Sequence, residues 1–314
     1  MHTIKRYLSL VKFSHTILAM PFALIGLFLG LYHVRSGKNQ IIWNDFDARG
    51  VFPAAQSLYT IFEGYEPILI SVLVLLCMVF ARSAAMAFNR YLDRHYDKLN
   101  PRTAVREIPS GTISASSALL FTIGSSGLFV ACCFFINSLC FYLAPVALLV
   151  ILGYSFTKRF TALCHLILGL GLSLAPLGAY LAVTGTFAIL PVLFSIAVIC
   201  WVSGFDIIYS LQDEEFDISQ QLNSIPAWIG KSRALHVSEL LHILSAIAVI
   251  IAGWYGDFGI FYWIGVVVFV GMLIYQHSIV QPQDLTKVNV AFMTSNGIAS
   301  LFFAIFVIID ITIH

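Results

Sequence analysis

The chain has 314 residues, of which 59% are hydrophobic and only 11% are charged, and its mean hydropathy is +0.90. Soluble domains carry about 25% charged residues, so this composition excludes a water-soluble globular protein and also a disordered or collagen-like chain. The formal net charge of +1 argues against an overall basic nucleic-acid binder. The composition therefore predicts an integral membrane protein.

Nine apolar stretches are long enough to cross a bilayer, whose hydrocarbon core of about 30 Å needs roughly 20 helical residues. Asn137 alone separates the third from the fourth, so these two are expected to be antiparallel neighbours. The predicted fold is an all-α polytopic bundle in one domain, 1–314. In chain order the spans are predicted at 15–34, 67–88, 115–135, 138–157, 162–184, 188–210, 235–254, 258–279 and 290–312.

The basic residues predict the orientation, because Lys and Arg collect on the cytoplasmic side of a membrane. A cytoplasmic N-terminus leaves only Arg35, Lys38 and Arg49 on the outer side. The opposite orientation would place most of the basic residues outside. The residues expected in cytoplasmic segments are Lys5, Arg6, Lys12, Arg90, Arg94, Lys98, Arg102, Arg106, Lys158, Arg159, Lys231, Arg233 and Lys287.

Two long cytoplasmic connections, 89–114 and 211–234, carry most of the ionisable groups, and long charged loops are where binding and catalysis concentrate. The outer segment 35–66 is the other long connection. It is either a short amphipathic element on the membrane surface or an insertion without a chemical role, and the second interpretation is favoured.

The first acidic run is Asn89-Arg-Tyr-Leu-Asp93-Arg-His-Tyr-Asp97. At about 100° per residue, a helix continuing out of the second span presents Asn89, Asp93 and Asp97 within about 80° of one another. Taken alone, the run also fits a solvated helix end whose acids pair with Arg94 or Lys98.

The second acidic run, Asp206-Ile-Ile-Tyr209-Ser-Leu-Gln-Asp213-Glu-Glu-Phe-Asp217, repeats the spacing at the end of the sixth span. Each run is followed by an Ile-Pro turn. This weak repeat, over about 67–160 and 188–280, is typical of two related halves that face each other across a central cavity. Two matching runs at matching depth make a merely solvated helix end a poor explanation.

Converging carboxylates repel one another near a low-dielectric cavity unless cations neutralise them. Oxygen ligands of this kind suit Mg²⁺, which completes its shell with water and substrate phosphate oxygens. The site therefore predicts a diphosphate whose apolar tail lies in the bundle, with polyprenyl diphosphate as the natural candidate. The basic residues expected to pair with its remaining charge are Arg90, Arg94, Arg102, Arg106, Lys158 and Arg159.

The two runs resemble the paired signatures of the UbiA superfamily of intramembrane prenyltransferases. Asn100-Pro-Arg-Thr103 and Arg106-Glu-Ile-Pro-Ser-Gly111 extend the likeness to the first signature. Leu10-Val-Lys-Phe-Ser-His-Thr16 and Tyr154-Ser-Phe-Thr-Lys158-Arg159-Phe160 are similar to the family's first helix and central cytoplasmic loop. The resemblance covers nearly the whole chain.

This resemblance implies a nine-helix bundle around a central cavity that holds Mg²⁺ and diphosphate, and C-prenylation of an aromatic acid. The Asn-Pro-Arg-Thr and Leu-Gln-Asp forms are most similar to 4-hydroxybenzoate polyprenyltransferases of quinone biosynthesis, which implies the cytoplasmic (inner) membrane of a bacterium. Leu222-Asn-Ser-Ile-Pro226 departs from that group. It resembles a related branch associated with menaquinone made by the futalosine route, so a naphthoate-type precursor is the alternative acceptor.

The roles expected in such a site follow from the two runs. Asn89, Asp93 and Asp97 would hold one Mg²⁺, and Asp213 and Asp217 would hold another, with the diphosphate bridging them. Metals and basic groups would stabilise the departing diphosphate, and exclusion of water would protect the allylic cation.

Four further residues have two interpretations each. Asp206 either orients the acceptor or removes a ring proton, or it is a buried partner for Arg82. Tyr209 either shields the cation or orders an Asp, or it simply packs. Lys158 and Arg159 are either topology-setting charges or anchors for an acceptor carboxylate, and the resemblance favours Arg159 as the anchor.

Two other classes of protein compete with an enzyme. A secondary transporter shares the many spans, the weak repeat and the intramembrane charges, but it predicts interrupted helices near the bilayer midplane. A membrane scaffold leaves the two acidic runs unexplained. The sequence indicates no protein partner.

Overall fold

The computed structural model describes Tyr7, Ser9, Leu10 and residues 20–36 and 50–313. Apart from one isolated bridge between Gln281 and Asp284, the regular structure of these residues is helical. The helices are α1 (Met20–Arg35), α2 (Pro53–Ile61), α3 (Glu66–Leu92), α4 (Arg94–Leu99), α5 (Ala115–Ile136), α6 (Ser138–Thr157), α7 (Cys164–Thr184), α8 (Ile189–Ser210), α9 (Glu214–Ser219), α10 (Ile225–Ile229), α11 (Lys231–Tyr255), α12 (Ile260–Ile279) and α13 (Asn296–Ile313).

The predicted all-α bundle is confirmed. In the described part of the chain, eight helices are long and apolar enough to cross a membrane, and each coincides within a few residues with a predicted span. The shorter α1 lies where the first span is expected, although residues 15–19 of that span are outside the described residues. The count of nine spans and the side on which the N-terminus lies stay predictions.

Helix α8 forms the centre of the bundle, packed between α7 and α11. Its Trp201 is fully buried against Phe22 of α1, with ring centroids 5.3 Å apart, and against Phe269 of α12 at 5.9 Å. Phe303 of α13 completes this aromatic core, 5.7 Å from Phe22. The large apolar side chains of the outer helices point away from the core, as expected for a lipid-facing surface.

Asn137 makes the tight turn between α5 and α6, as its position in the sequence predicts. Its side-chain oxygen accepts a hydrogen bond of 2.8 Å from the Cys140 backbone N–H and so caps α6. Its amide donates to the Leu181 carbonyl of α7 at 3.0 Å. One buried residue therefore connects three helices.

Helix α13 begins after a π-helical segment, Val290–Ser295. Asn296 holds this segment, because its amide donates to the carbonyls of Ala291 and Phe292, both at 3.0 Å. Its side-chain oxygen accepts from Trp201 of α8 at 2.7 Å. The π segment places Phe292 beside the cytoplasmic end predicted for α8, where the second acidic run begins.

Of the outer segment 35–66, residues 37–49 lie outside the described part. The remainder includes α2, which packs on the ends of α5 and α6. Tyr59 is buried and donates to the Phe135 carbonyl at 2.9 Å, and Phe52 stacks on Phe134 with centroids 4.9 Å apart. The described residues of this segment therefore cover one end of the bundle.

Candidate active site

The two acidic runs lie at the ends of α3 and α8, but neither is the continuous helix that its spacing predicts. Helix α3 ends at Leu92, and Asp93 has φ −87° and ψ 4° before α4 begins. In the second run a 3₁₀ turn, Leu211–Asp213, separates α8 from α9. The predicted regular helix is thus distorted at both places, although helical hydrogen bonds still join Asp93 N–H to the Asn89 carbonyl (2.9 Å) and Asp97 N–H to the Asp93 carbonyl (2.8 Å).

Four carboxylates of the two runs pair with four different cations. The runs therefore neutralise their negative charge through the chain's own basic residues. The pairs are Asp97 with Arg106 (2.6 Å), Asp217 with Lys158 (2.7 Å), Asp93 with Arg159 (3.6 Å), and Asp213 with Arg102.

Three of these pairs connect the halves of the site. Arg102 follows the first run, yet its Nε donates to Oδ1 of Asp213 in the second run at 3.1 Å. The adjacent Asn100 donates to the same oxygen at 3.2 Å. In the central loop, Lys158 contacts Asp217 whereas its neighbour Arg159 contacts Asp93. The two acidic runs thus share one electrostatic network.

Asp97 and Asp217 are the most deeply buried of the four carboxylates, at 5% and 0% exposure. Oδ2 of Asp217 accepts a hydrogen bond from the Ser224 hydroxyl at 2.8 Å. Oδ2 of Asp97 is buried and accepts no hydrogen bond from any described residue. A buried carboxylate oxygen without a donor is suited to a metal ion, which supplies the missing positive charge.

Burial also perturbs titration at the edge of the site. Burial, together with the charge of Asp97, raises the pKa of Asp93 to about 6, although Lys158 and Arg159 oppose this shift. Burial by itself would lower the pKa of the Lys158 ammonium. The negative charge of Asp217 and its hydrogen bond to Lys158 together outweigh burial, so the pKa is raised. Lys158 therefore stays charged beside the acidic runs.

Asn89 lies on the last turn of α3, and its amide nitrogen donates to Asp93 Oδ2 at 3.0 Å. Arg90 is 2% exposed, borders the polar cavity, and has two nitrogens, Nε and Nη1, without a hydrogen-bond partner among the described residues. Arg94 differs from the other predicted phosphate partners. It donates to the Tyr91 carbonyl at 2.7 Å, lies over the Tyr91 ring and does not border the cavity.

Asp206 lies deeper in the bundle, on α8. Its Oδ2 is 2.7 Å from Nδ1 of His165, the second residue of α7. The alternative prediction that Asp206 is the buried partner of Arg82 is therefore wrong. Helices α7 and α8 pack closely against each other, so Asp206 of α8 contacts His165 of α7 rather than Arg82 of α3.

Tyr209 lies between the carboxylates and the aromatic core. Its hydroxyl accepts a hydrogen bond of 2.9 Å from Arg102 Nη1, and its ring is 4.3 Å from the ring of Phe292. Tyr209 thus orders Arg102, and through it Asp213, while its ring packs on the π segment. The packing on the core is present, and the predicted ordering of an Asp is indirect, through Arg102.

A polar cavity of about 280 Å³ lies among these residues and leads inward to a second cavity of about 350 Å³. The inner cavity is lined mainly by apolar side chains of α3, α5, α6 and α7. The two cavities have Arg82, Tyr154, Leu168 and Leu172 in common. A charged compartment and an apolar compartment are therefore adjacent, which suits a ligand with a charged head and an apolar tail.

Three residues of the site were not singled out from the sequence. Asn100 lies in the Asn-Pro-Arg-Thr motif, and an amide two residues before an Arg could have indicated a second donor to the acidic runs. Ser224 precedes the second Ile-Pro turn, and its hydroxyl contacts Asp217. His165 is a lone histidine in an apolar run, and its position gave no signal because its partner is 41 residues away.

Comparison with known proteins agrees with the resemblance noted in the sequence. Residues 50–305 match the UbiA prenyltransferase family. The chain is 30% identical over 258 residues to a 4-hydroxybenzoate octaprenyltransferase of Francisella tularensis subsp. mediasiatica (strain FSC147), a match that covers 82% of this chain and 90% of that protein. A protein of the same name from Shewanella woodyi is 28% identical over 256 residues, covering 81% of this chain and 89% of its own length.

Solved structures share the fold. A UbiA homolog from Aeropyrum pernix K1 superposes with a TM-score of 0.72 at 26% identity, covering 95% of this chain and 97% of that one. A UbiA homolog from Archaeoglobus fulgidus bound to GPP and Mg²⁺ has a TM-score of 0.66 at 20% identity, with 98% and 99% covered. The bundle described above is therefore one that known UbiA homologs adopt.

Proposed function

Since the chain belongs to the UbiA prenyltransferase family and is a multi-pass membrane enzyme, we propose that it transfers a polyprenyl group from polyprenyl diphosphate to a ring carbon of 4-hydroxybenzoate. The observation that carries this proposal is the pair of acidic runs, each neutralised by basic side chains, next to an apolar cavity. Family membership favours an enzyme over the transporter and the scaffold considered from the sequence.

The residues present fit a Mg²⁺ cofactor. Asp93 and Asp97 of the first run, with the Asn89 amide oxygen, would hold one ion, and Asp213 and Asp217 would hold a second. Carboxylate and amide oxygens are the donors that Mg²⁺ prefers, and the unpaired Oδ2 of Asp97 is available to a metal. When bound, Mg²⁺ supplies positive charge that stabilises the departing diphosphate. The Archaeoglobus fulgidus homolog bound to GPP and Mg²⁺ supports this choice of metal.

The basic side chains would then change partners. Arg102, Arg106 and Lys158 now neutralise carboxylates, and a metal bound to those carboxylates would make this neutralisation unnecessary. The released guanidinium and ammonium groups lie where they can donate to phosphate oxygens. The buried Arg90, with two unpaired nitrogens, adds a donor that needs no rearrangement.

The apolar cavity accommodates the prenyl tail. The lining of this cavity includes Gly171 and Gly178 of α7, which leave room for the prenyl tail. The cavity begins where Leu168 and Leu172 adjoin the polar cavity. A tail in this position places the allylic carbon at the junction of the two cavities. Tyr209 borders the polar cavity, and its π face would stabilise a developing allylic cation once Arg102, whose guanidinium carbon now lies 5.3 Å from the ring centroid, turns to the diphosphate.

The acceptor would approach the same junction. Arg159 contacts Asp93 at 3.6 Å, the longest of the four pairs, and so is the cation most easily diverted to an acceptor carboxylate. Asp206, on α8, borders the polar cavity and would take the proton that the acceptor ring loses. The names of the Francisella and Shewanella relatives support 4-hydroxybenzoate as the acceptor.

A naphthoate-type quinone precursor is the second candidate acceptor. The segment in which this chain departs from 4-hydroxybenzoate enzymes begins at Leu222, which borders the polar cavity. In the same segment, Ser224 contacts Asp217 and Ile225 contacts His165. The departure is therefore located where it can affect the shape of the acceptor site.

The excess of basic residues at the end that carries the acidic runs supports a site on the cytoplasmic side of a bacterial inner membrane. The acceptor is tested by incubating purified protein with Mg²⁺ and a polyprenyl diphosphate, and offering 4-hydroxybenzoate and a naphthoate-type quinone precursor in separate reactions. Mass spectrometry of extracted lipid is expected to show prenylated 4-hydroxybenzoate. Product from the naphthoate alone would replace the first acceptor by the second, and product from neither would contradict both.

A further inference from the structure

His165 is a buried polar residue that the proposed mechanism has not yet used. It is 3% exposed and borders the polar cavity, with Nδ1 2.7 Å from Oδ2 of Asp206. Its other ring nitrogen, Nε2, accepts a hydrogen bond of 3.3 Å from the backbone N–H of Ile225. Because Nε2 is an acceptor, a neutral ring carries its proton on Nδ1 and donates it to Asp206.

The position of the His165 ring is determined by the surrounding backbone. Helices α7 and α8 approach so closely at Gly169 that an added Cβ would lie 2.6 Å from the Ile199 carbonyl oxygen. The Ser203 hydroxyl donates to the His165 carbonyl at 3.1 Å. The imidazole is therefore held between α8 and the turn at Ile225 and has little freedom to move.

We infer that His165 is the positioning residue for Asp206: its Nδ1–H holds the Asp206 carboxylate aimed at the acceptor ring. This inference rests on the proposed function. His165 is not itself the proton acceptor, since both ring nitrogens are engaged. The Asp206 side chain is 23% exposed, and one hydrogen bond from a buried ring fixes its orientation at the edge of the polar cavity.

Prenyl transfer breaks one bond at the allylic carbon and forms another. The C–O bond between the allylic carbon and the diphosphate breaks, and its electron pair leaves with the diphosphate. A ring carbon of the acceptor forms a C–C bond with the allylic carbon. The ring C–H bond then gives its proton to Asp206 and its electron pair back to the ring, and the proton passes to water through the polar cavity.

The same turn connects the two ends of the reaction. Ile225 contacts His165, and the preceding Ser224 donates to Asp217, one of the proposed metal ligands. The carboxylate that would take the proton and a carboxylate that would hold the metal are thus positioned by adjacent residues. His165 should therefore matter for the rate of the chemical step rather than for binding of the prenyl diphosphate.

Two variants separate the hydrogen bonds of His165. An Asn side chain places its amide nitrogen near the position of Nδ1, so His165→Asn keeps the donor to Asp206. A Gln side chain reaches the position of Nε2, so His165→Gln keeps the acceptor for Ile225 but loses that donor. We expect both His165→Gln and Asp206→Asn to lower kcat about 100-fold, and His165→Asn to stay within about tenfold of the wild type.

The KM for prenyl diphosphate is expected to stay within about threefold of the wild type in both variants. The double variant His165→Gln/Asp206→Asn should be no slower than Asp206→Asn alone, because residues that act as one unit are not additive. Losses that multiply in the double variant, or equal kcat in His165→Gln and wild type, would overturn the inference.

Thermal unfolding in detergent shows whether each variant folds. If His165→Gln does not fold, His165→Leu, which also lacks the donor to Asp206, is compared with the wild type in its place. An inactive wild type would instead overturn the proposed function, and the inference with it. An active wild type with additive losses would overturn the inference alone.

Discussion

Arg102, which follows the first acidic run, binds Asp213 of the second run through Nε at 3.1 Å and also donates to the Tyr209 hydroxyl at 2.9 Å. It therefore connects the two halves of the site across the cavity. Arg102 neutralises Asp213 in this structure, and under the proposed function it would turn to a phosphate when a metal takes its place.

Arg102→Gln is expected to raise the KM for prenyl diphosphate at least about tenfold. A hydrogen bond to a charged group contributes about 1.5–3 kcal/mol, and 1.4 kcal/mol corresponds to a factor of ten. Arg94→Gln is the matched control, because Arg94 lies in the same loop but donates to the Tyr91 carbonyl and does not border the cavity. Steady-state kinetics with equal effects in both variants would contradict the assignment of Arg102.

Asp217→Asn is expected to raise the Mg²⁺ concentration needed for half-maximal activity at least about tenfold, because a neutral amide replaces a carboxylate ligand. The control is Glu215→Gln, which removes the same charge two residues away from an exposed side chain. Mg²⁺ titration of both variants measures the difference. An unchanged Mg²⁺ requirement in Asp217→Asn would show that Asp217 does not hold the metal.

Gly178→Phe is expected to shorten the longest prenyl chain that the enzyme accepts. Gly178 borders the apolar cavity, and no atom lies within 4 Å of an added Cβ, so the new ring fills space that the tail would occupy. Gly127→Phe is the control, since Gly127 also faces open space but lies on the lipid-exposed side of α5. Competition among prenyl diphosphates of increasing length gives the measurement, and an unchanged length preference in Gly178→Phe would place the tail elsewhere.

Asn137→Ala is expected to lower the thermal unfolding midpoint more than Ser114→Ala. Each variant loses the side-chain cap of one helix, worth about 1 kcal/mol. Asn137→Ala loses in addition a buried hydrogen bond to the Leu181 carbonyl of α7, which contributes about 0.5–1.5 kcal/mol. Unfolding in one detergent, followed by circular dichroism, compares the two. A larger loss in Ser114→Ala would contradict the role of Asn137 as a connector of three helices.

The positions of the membrane helices were predictable from the sequence, because apolar length is the physical requirement for crossing a bilayer. The convergence of Asp93, Asp97 and Asp213 on one polar cavity was also predictable from the spacing of the two runs. Asp217 does not border that cavity, because it is fully buried against Lys158 and Ser224. The local distortions at Asp93 and at Leu211–Asp213 were not predictable, since the acidic spacing alone fits a regular helix.

The partner of each charge was not predictable either. Arg94 and Arg102 have the same chemistry and lie in the same loop, and only the path of that loop brings Arg102 to Asp213. The contact between His165 and Asp206 depends on the close packing of α7 against α8, which no local pattern encodes. Sequence periodicity thus predicted the faces, whereas the contacts between helices required the structure.

The central claim is that the two acidic runs together hold Mg²⁺ and diphosphate for prenyl transfer. The most direct measurement is the formation of prenylated 4-hydroxybenzoate by wild type, Asp213→Ala and Glu215→Gln, with Mg²⁺ and with the metal chelated. The account predicts product from wild type and Glu215→Gln with Mg²⁺, and none from Asp213→Ala or after chelation. Wild-type rates from Asp213→Ala, or product without a divalent metal, would contradict it.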